Sequence, residues 1–542
     1  MTLAAPRRSA AGGRRRRRAH AWVATTALVT VPLIPLSLPT AQEAHADQVD
    51  EQTRLADLVE DIDAILDDPA LEGATSGVVV LDPDTDESLY SREADTQLLP
   101  ASNMKMFSGA AALDVLGAEH TFGTEVVAEA GPGHLRAVDS LYLVGTGDPT
   151  LTAEDIDSLA AEVADSGVRV VTDVYADDTW FDDERLVDDW WPEDEPFAYS
   201  AQISALTVAH GDRFDTGVTE VVVDPTSEGE PVVVDPGAAE GYVELDNQAV
   251  TGAPGSDDTL VIDRPTGTNT IEVSGSLPAG ADPVEALRTV DEPAGLAGHL
   301  FAQALEEHGV KVRGEAQLGG VPDEWQGVEV LADHTSPELA EVMVPFMKFS
   351  NNAHAEILVK SIGQEVAGEG SWEAGLTGVE EALARLGVDT ADLVLNDGSG
   401  LSRGNWVTAG TVADLLVRTS DTAWAEEFRV SLPVAGDPDP FVGGTLTGRM
   451  ADTAAEGVVQ AKTGTMTGVS ALSGYVPAPD GGELVFSIVN NDHAGSAPTG
   501  AQDAIAVRLA EYLGHGAPGD ALAQRAVPEG TGELECSWER AC

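Results

Sequence analysis

The chain has 542 residues, enough for one large core or for two to three domains. It carries 93 acidic against 29 basic side chains, a formal net charge of -64, with an ordinary hydrophobic share of 43%. That hydrophobic share argues against a disordered chain, and the charge argues against a nucleic-acid binder, which needs cationic surface to neutralise phosphates.

The N-terminus, residues 1–46, reads as a secretory signal peptide. Seven arginines (Arg7, Arg8 and Arg14 to Arg18) precede an apolar stretch from Ala21 to Leu38, and Ala44-His45-Ala46 offers a cleavage point before Asp47. Pro32 and Pro35 interrupt that stretch, which suits a signal better than a stable membrane span; an uncleaved anchor is the competing reading. No cysteine lies near the cleavage point, which argues against a lipoprotein anchor. The mature protein is therefore expected to be exported, extracellular or associated with the cell wall, with no stable transmembrane anchor left.

Residues 47–120 read as the first part of a catalytic domain. Leu55, Leu58, Val59, Ile62, Ile65 and Leu66 recur at helical spacing. Gly77 to Leu81 and Ser88 to Tyr90 then read as a hairpin around Asp82-Pro83-Asp84. A second helix is predicted from Ser102 through Met106, Ala110, Ala111, Leu113 and Leu116. Residues 121–330 differ in texture: short valine-rich stretches, such as Ser140 to Val144 and Thr270 to Val273, are cut by Gly, Pro and Asp turns. They read as a β-rich insertion. Residues 331–527 supply the second part of the catalytic domain, with strands at Val458 to Lys462, Ala471 to Val476 and Leu484 to Val489 and a closing helix from Ala501 to Leu513. A polar tail, 528–542, holds Cys536 and Cys542, which either pair or stay free. A sheet built from both chain ends with helices against it is an α+β architecture.

Three short motifs carry chemistry. In Ser102-Asn103-Met104-Lys105 the i,i+3 spacing puts the lysine on the serine's face, where a neutral amine can take the hydroxyl proton. Taken alone, a serine helix cap with an exposed lysine is the commoner outcome. The chain has only five lysines (Lys105, Lys311, Lys348, Lys360 and Lys462), as if lysine were kept where it is needed. Ser350-Asn351-Asn352 sets a hydroxyl and a carboxamide two residues apart, and the His354 that follows reads as a structural or surface residue rather than a catalyst. Lys462-Thr463-Gly464-Thr465 on a predicted strand can bind a carboxylate, while Gly464 admits close backbone approach. The backbone N–H groups of Ser102 and Thr465 can then form an oxyanion hole.

In this order and context, the three motifs resemble the active-site set of penicillin-binding proteins and serine β-lactamases. Ser102 and Ser350 stand 248 positions apart, far more than a compact β-lactamase needs. The chain resembles the class C low-molecular-mass penicillin-binding proteins, the D-alanyl-D-alanine carboxypeptidase/endopeptidases, and their actinobacterial members especially. Gly145 to Leu151 (GTGDPTL) and Asn396 to Arg403 (NDGSGLSR) extend the match. Asn351 departs from it, since many relatives carry Asp there.

The resemblance implies a penicillin-binding transpeptidase-like, serine β-lactamase-like fold with a large β-rich insertion. It implies Ser102 as nucleophile, Lys105 as base, Ser350 and Lys462 as a proton relay, and Asn352 as holder of the substrate amide. Lys462, Thr463 and Thr465 would bind the terminal carboxylate. Peptidoglycan stem peptides and β-lactam antibiotics are the expected partners. The aromatic segment Trp190 to Tyr199 would place Trp191, Asp194 and Tyr199 along the cleft beside Met466, Thr467, Leu401 and Arg403, with Asp194 suited to an ammonium group. A β-lactamase, a non-catalytic receptor and an esterase or aminopeptidase on the same fold are the rival readings. No H-E-x-x-H, paired C-x-x-C or phosphate-binding glycine loop occurs, so neither a metal nor a cofactor is implied.

The acidic residues are spread along the whole chain, which points to a solvated surface suited to salt rather than to one polycationic partner. Thermal melts from low to molar sodium chloride should show a rising midpoint. A falling one would count against this reading.

Overall fold

The computed structural model describes residues 41–516, apart from 84, 86, 130–135, 323, 324, 326 and 480. The basic and apolar stretch through Leu38 and the tail with Cys536 and Cys542 lie outside the described residues. The chain divides into two units at Arg54, and the architecture around the site belongs to the unit beginning there.

A five-stranded antiparallel sheet joins the two ends of the chain. Its order is Gln460–Met466, Val469–Pro477, Glu483–Asn491, Thr75–Asp82, Glu87–Arg92. Side chains alternate across a strand, and here both faces are covered. Val78, Val80, Phe486 and Ile488 join Leu58, Ile62, Ile505 and Leu509 in one core. Val79 and Val485 join Phe107, Met343, Phe346 and Leu415 in the other. The apolar stripe read at Leu58, Ile62 and Leu66 is therefore the buried face of the helix Ala41–Leu66. The helix Thr499–Tyr512 shares that core through Ile505 and Leu509.

The second core is helical. Met104–Val115, Asn352–Ala367 and Trp372–Leu386 pack together, with Leu339–Lys348 and Ala409–Ser420 beside them. Gly109 admits this packing: a Cβ there would stand 3.1 to 3.2 Å from Met343, Met347 and Phe346.

Between the two halves the chain builds more than strands. A six-stranded sheet contains Gly123–Glu129, Ala137–Gly145 and Val170–Asp177, the last two parallel. Parallel neighbours need a crossover, which the helix Ala153–Asp165 supplies. The helix Pro293–Glu307 packs on the same core through Ala297 and Phe301. Residue 330 falls inside the strand Val328–Thr335, which pairs with Gly123–Glu129 in this sheet. A further β-rich cluster over 218–289 has its own small core, with Val221, Ile262, Ile271 and Leu277. Among the described residues no helix is long and apolar enough to cross a membrane.

Candidate active site

Ser102 lies in a single 3-10 turn, Ala101–Asn103, and the α-helix predicted to start there begins at Met104. Lys105 lies three residues on, in the first turn of that α-helix and on the same face as Ser102. Lys105 Nζ stands 3.0 Å from Ser102 Oγ. It also lies 2.6 Å from Asn352 Oδ1 and 2.8 Å from the Ser399 carbonyl. Those two oxygens only accept hydrogen bonds, whereas a serine hydroxyl can donate. Nζ is within donating distance of all three; as a neutral amine it gives its two N–H bonds to those two oxygens and turns its lone pair to the Ser102 hydroxyl. Lys105 is fully buried, and burial first, then the positive charge of Lys462, hold its pKa well below the usual lysine value.

The S-x-N motif lies between two helices. Ser350 adopts a left-handed φ of 58°, and Asn352 opens the helix Asn352–Ala367. The residue between them, Asn351, is the N-cap and accepts from His354 N at 3.2 Å. Asp caps a helix as well as Asn, so the departure at this position leaves its local role intact. Ser350 Oγ accepts from Lys462 Nζ at 2.8 Å. Asn352 Nδ2 donates to the Tyr199 carbonyl at 2.7 Å, which turns its Oδ1 toward Lys105. His354 is fully buried against the Phe214 carbonyl, and burial pushes its pKa down to about 4. It is a neutral structural residue at physiological pH.

Lys462 to Thr465 lie on the edge strand Gln460–Met466; Val458 and Val459, expected in that strand, precede it. Asn103 Nδ2 donates to the Lys462 carbonyl at 3.0 Å, tying this strand to the serine turn. Gly464 permits the approach: a Cβ there would meet Ser102 N at 3.0 Å and the Pro100 carbonyl at 3.1 Å. Thr463 Oγ1 donates to Thr445 Oγ1 at 2.8 Å, while Thr465 is half-buried.

A pocket of about 340 Å³ opens beside Thr465. Trp191, Asp194, Tyr199, Leu401, Arg403, Met466 and Thr467 all line it. Tyr199 Oη donates to Asp194 Oδ1 at 3.1 Å. Arg403 sits over the Trp191 ring at 5.3 Å and donates to the Thr467 carbonyl at 2.6 Å. Asp189, Gly468, His493, Gly495 and Ala497 complete the lining, and sequence reasoning named none of them. It also missed Thr445 and the Ser399 carbonyl. The signal for Ser399 was present, since it lies inside the NDGSGLSR segment. A main-chain oxygen, however, carries no side-chain signature.

Residues 58–512 match the D-Ala-D-Ala carboxypeptidase 3 (S13) family. The chain belongs to that family. This S13 member is 71% identical over 517 residues to the D-alanyl-D-alanine carboxypeptidase of Actinomadura sp. (strain R39), covering 95% of this chain and 96% of that protein. Its fold is similar to penicillin-binding protein 4 of Haemophilus influenzae, with a TM-score of 0.72 at 23% identity over 83% of this chain and 99% of that one. The same H. influenzae protein complexed with a novel β-lactam gives a TM-score of 0.66 at the same identity and coverage. The α+β, penicillin-binding-protein-like fold expected from the sequence is thus the fold of this S13 chain.

The Gly464 contact yields a test. Gly464→Ala should push the strand off the serine turn and slow acylation of the protein by benzylpenicillin about 100-fold, the effect of displacing reacting groups by about 1 Å. Stopped-flow acylation kinetics, beside a thermal melt showing the fold retained, would measure it.

Proposed function

We propose that the chain is an exported serine D-alanyl-D-alanine carboxypeptidase and endopeptidase, hydrolysing peptidoglycan stem peptides and cross-links through an acyl-enzyme on Ser102. The observation that carries this reading is the Lys105 amine, shut off from water and 3.0 Å from the Ser102 hydroxyl. Membership of the S13 family and 71% identity to a D-alanyl-D-alanine carboxypeptidase support the reaction class.

Ser102 gives its proton to Lys105 as its Oγ bonds to the carbonyl carbon between the two D-alanines. The oxyanion that forms is held by the backbone N–H groups of Ser102 and Thr465. The C–N bond then breaks, and Ser350, hydrogen-bonded to Lys462, delivers a proton to the leaving amine. Lys462, Thr463 and Thr465 hold the carboxylate of the departing residue, and Asn352 holds the substrate amide. Water hydrolyses the ester and frees Ser102. Carboxypeptidase and endopeptidase activities differ only in the leaving amine, so one site performs both. A β-lactam presents a strained amide in place of the dipeptide and leaves a slowly hydrolysed ester.

Asp194 recognises the free ammonium of a diaminopimelate side chain in the adjoining pocket. Export follows from the arginine-rich, apolar segment at 1–46.

Intact-mass spectrometry with benzylpenicillin should give one lasting adduct on the mature protein and none on Ser102→Ala. An adduct lost within minutes as penicillin is consumed would indicate a β-lactamase, and no adduct at all would remove the site. Asp194→Ala should lower kcat/KM on amine-bearing peptides about tenfold while sparing simple D-Ala-D-Ala peptides, the loss expected for one charge-assisted contact. An equal loss on both substrates would assign Asp194 to structure alone.

A further inference from the structure

Lys105 acts as a base only while its lone pair faces Ser102, and that orientation depends on what its N–H bonds find. One of its acceptors is the main-chain carbonyl of Ser399, 2.8 Å away in an irregular loop. Nothing in such a loop fixes a carbonyl by itself. Two buried carboxylates do.

Glu356 is fully buried on the helix that Asn352 opens, one turn further on. Its Oε1 accepts from Ser399 N at 2.8 Å, and its Oε2 from Gly398 N and from Trp372 Nε1, both at 2.9 Å. Asp397, also fully buried, accepts from Gly400 N and Asn405 Nδ2 at 2.7 Å, Ser402 N at 2.6 Å and Trp190 Nε1 at 3.0 Å. These N–H donors suit ionised carboxylates. The loop they fold lies hard against the serine turn: a Cβ at Gly400, whose φ is 87°, would fall 1.9 Å from the Ala101 carbonyl. One helix therefore sets two of the acceptors of Lys105. Asn352 supplies its own Oδ1; Glu356, four residues on, holds the N–H of Ser399, the residue that carries the other, while Asp397 holds the Gly400 N–H of the same peptide unit as that carbonyl.

We propose that Glu356 is a positioning residue for the reaction. It keeps the Ser399 carbonyl on Lys105 and, as a negative charge beside it, stabilises the ammonium formed when Lys105 takes the Ser102 proton. This rests on the reading of Ser102 as nucleophile and Lys105 as base. The charged groups around Glu356 are Asp397 in the loop, Lys105 on the helix Met104–Val115 with Lys462 beyond it, and, across the Trp372 ring, Lys360 with its partner Asp182. Burial first, then the Asp397 charge, raise the Glu356 pKa to about 7, while its N–H donors, Trp372 included, pull it down.

The pH dependence of acylation separates this role from a merely structural one. Neutral Lys105 and ionised Glu356 both favour acylation, so the rate falls as pH drops. In Glu356→Gln the limb due to Glu356 disappears, and Lys105, without that negative charge, gives up its proton at lower pH. The acid limb should move down by about one unit, within the range a neighbouring charge produces. The plateau rate should fall about 100-fold through misplacement of the base, with unchanged affinity before acylation. Trp372→Phe keeps a ring but removes one donor to Glu356, so the limb should move to higher pH.

Rates with benzylpenicillin across pH, alongside thermal melts, read out both variants. Opposite shifts support the proposal. Loss of rate with an unmoved limb in both variants assigns Glu356 to folding alone and overturns it, as do rates and limbs like those of the wild type. If Glu356→Gln does not fold, the direction of the Trp372→Phe shift decides. Wild-type protein that is not acylated overturns the reading of Ser102 and this inference with it; acylated wild type with both variants unmoved overturns this inference alone.

Discussion

An amine with no water around it is the constraint on which this site depends. Moving an ammonium into a protein interior costs several kcal/mol even after relaxation, so a buried lysine sheds its proton unless a close negative charge compensates. Lys105 is fully buried, and a second lysine and two carboxylates act on it with opposite sign. Burial and the second lysine favour the neutral amine, while the two carboxylates favour the ammonium. Its three acceptors and donors come from the serine turn, the start of the helix Asn352–Ala367 and the 397–402 loop. Each would be misplaced if any neighbour moved.

Bringing those segments together explains much of the architecture. The five-stranded sheet interleaves the first and last parts of the chain, so the Lys462 strand runs beside the Ser102 turn although 360 positions separate the two residues. Gly464 and Gly400 remove the side chains that would keep the backbones apart. The long middle segment is not a passive appendage. The Tyr199 carbonyl orients the Asn352 amide, and the Phe214 carbonyl accepts from Asn351 Nδ2 and holds His354. The Trp190 to Tyr199 stretch is in turn pinned by a buried ion pair, Arg264 Nη2 to Glu195 Oε1 at 2.9 Å. The Asn352 amide is thus oriented by a main-chain oxygen from the very segment that lengthens the chain.

The sequence made the sheet and the chemistry legible because both leave side-chain patterns. The unbroken apolar run Val78 to Val80, buried on both faces of the sheet, and the helical spacing at Leu58, Ile62 and Leu66 follow directly from burial. The motif serines and lysines fall together because the chemistry needs those side chains at those spacings. What stayed hidden was carried by the backbone or by long-range pairing. The parallel pairing of Ala137–Gly145 with Val170–Asp177 needed a crossover helix that valine-rich texture concealed. The strand Val328–Thr335 joins a partner some 200 positions earlier, which no local pattern announces. Ser399 acts through its carbonyl, and Glu356 looks in sequence like any acid in an acidic chain.

Lysine usage follows from the same physics. Four of the five lysines, Lys105, Lys348, Lys360 and Lys462, are buried, and Lys311 is exposed. Lys348 donates to two main-chain carbonyls, and burial brings its pKa down to about 8. Lys360 pairs with Asp182 and lies over the Trp372 ring at 3.9 Å. The acidic surface is solvated by carboxylates and needs few cations, while arginine serves most surface ion pairs. Arginine cannot fill the role proposed for Lys105, because a guanidinium does not deprotonate in a protein and so takes up no proton. A chain that has all but abandoned lysine outside its core has kept it where a compact, dehydrated amine is required. That selectivity is why a four-residue motif, weak by itself, stands out in this background and supports the proposed role of Lys105.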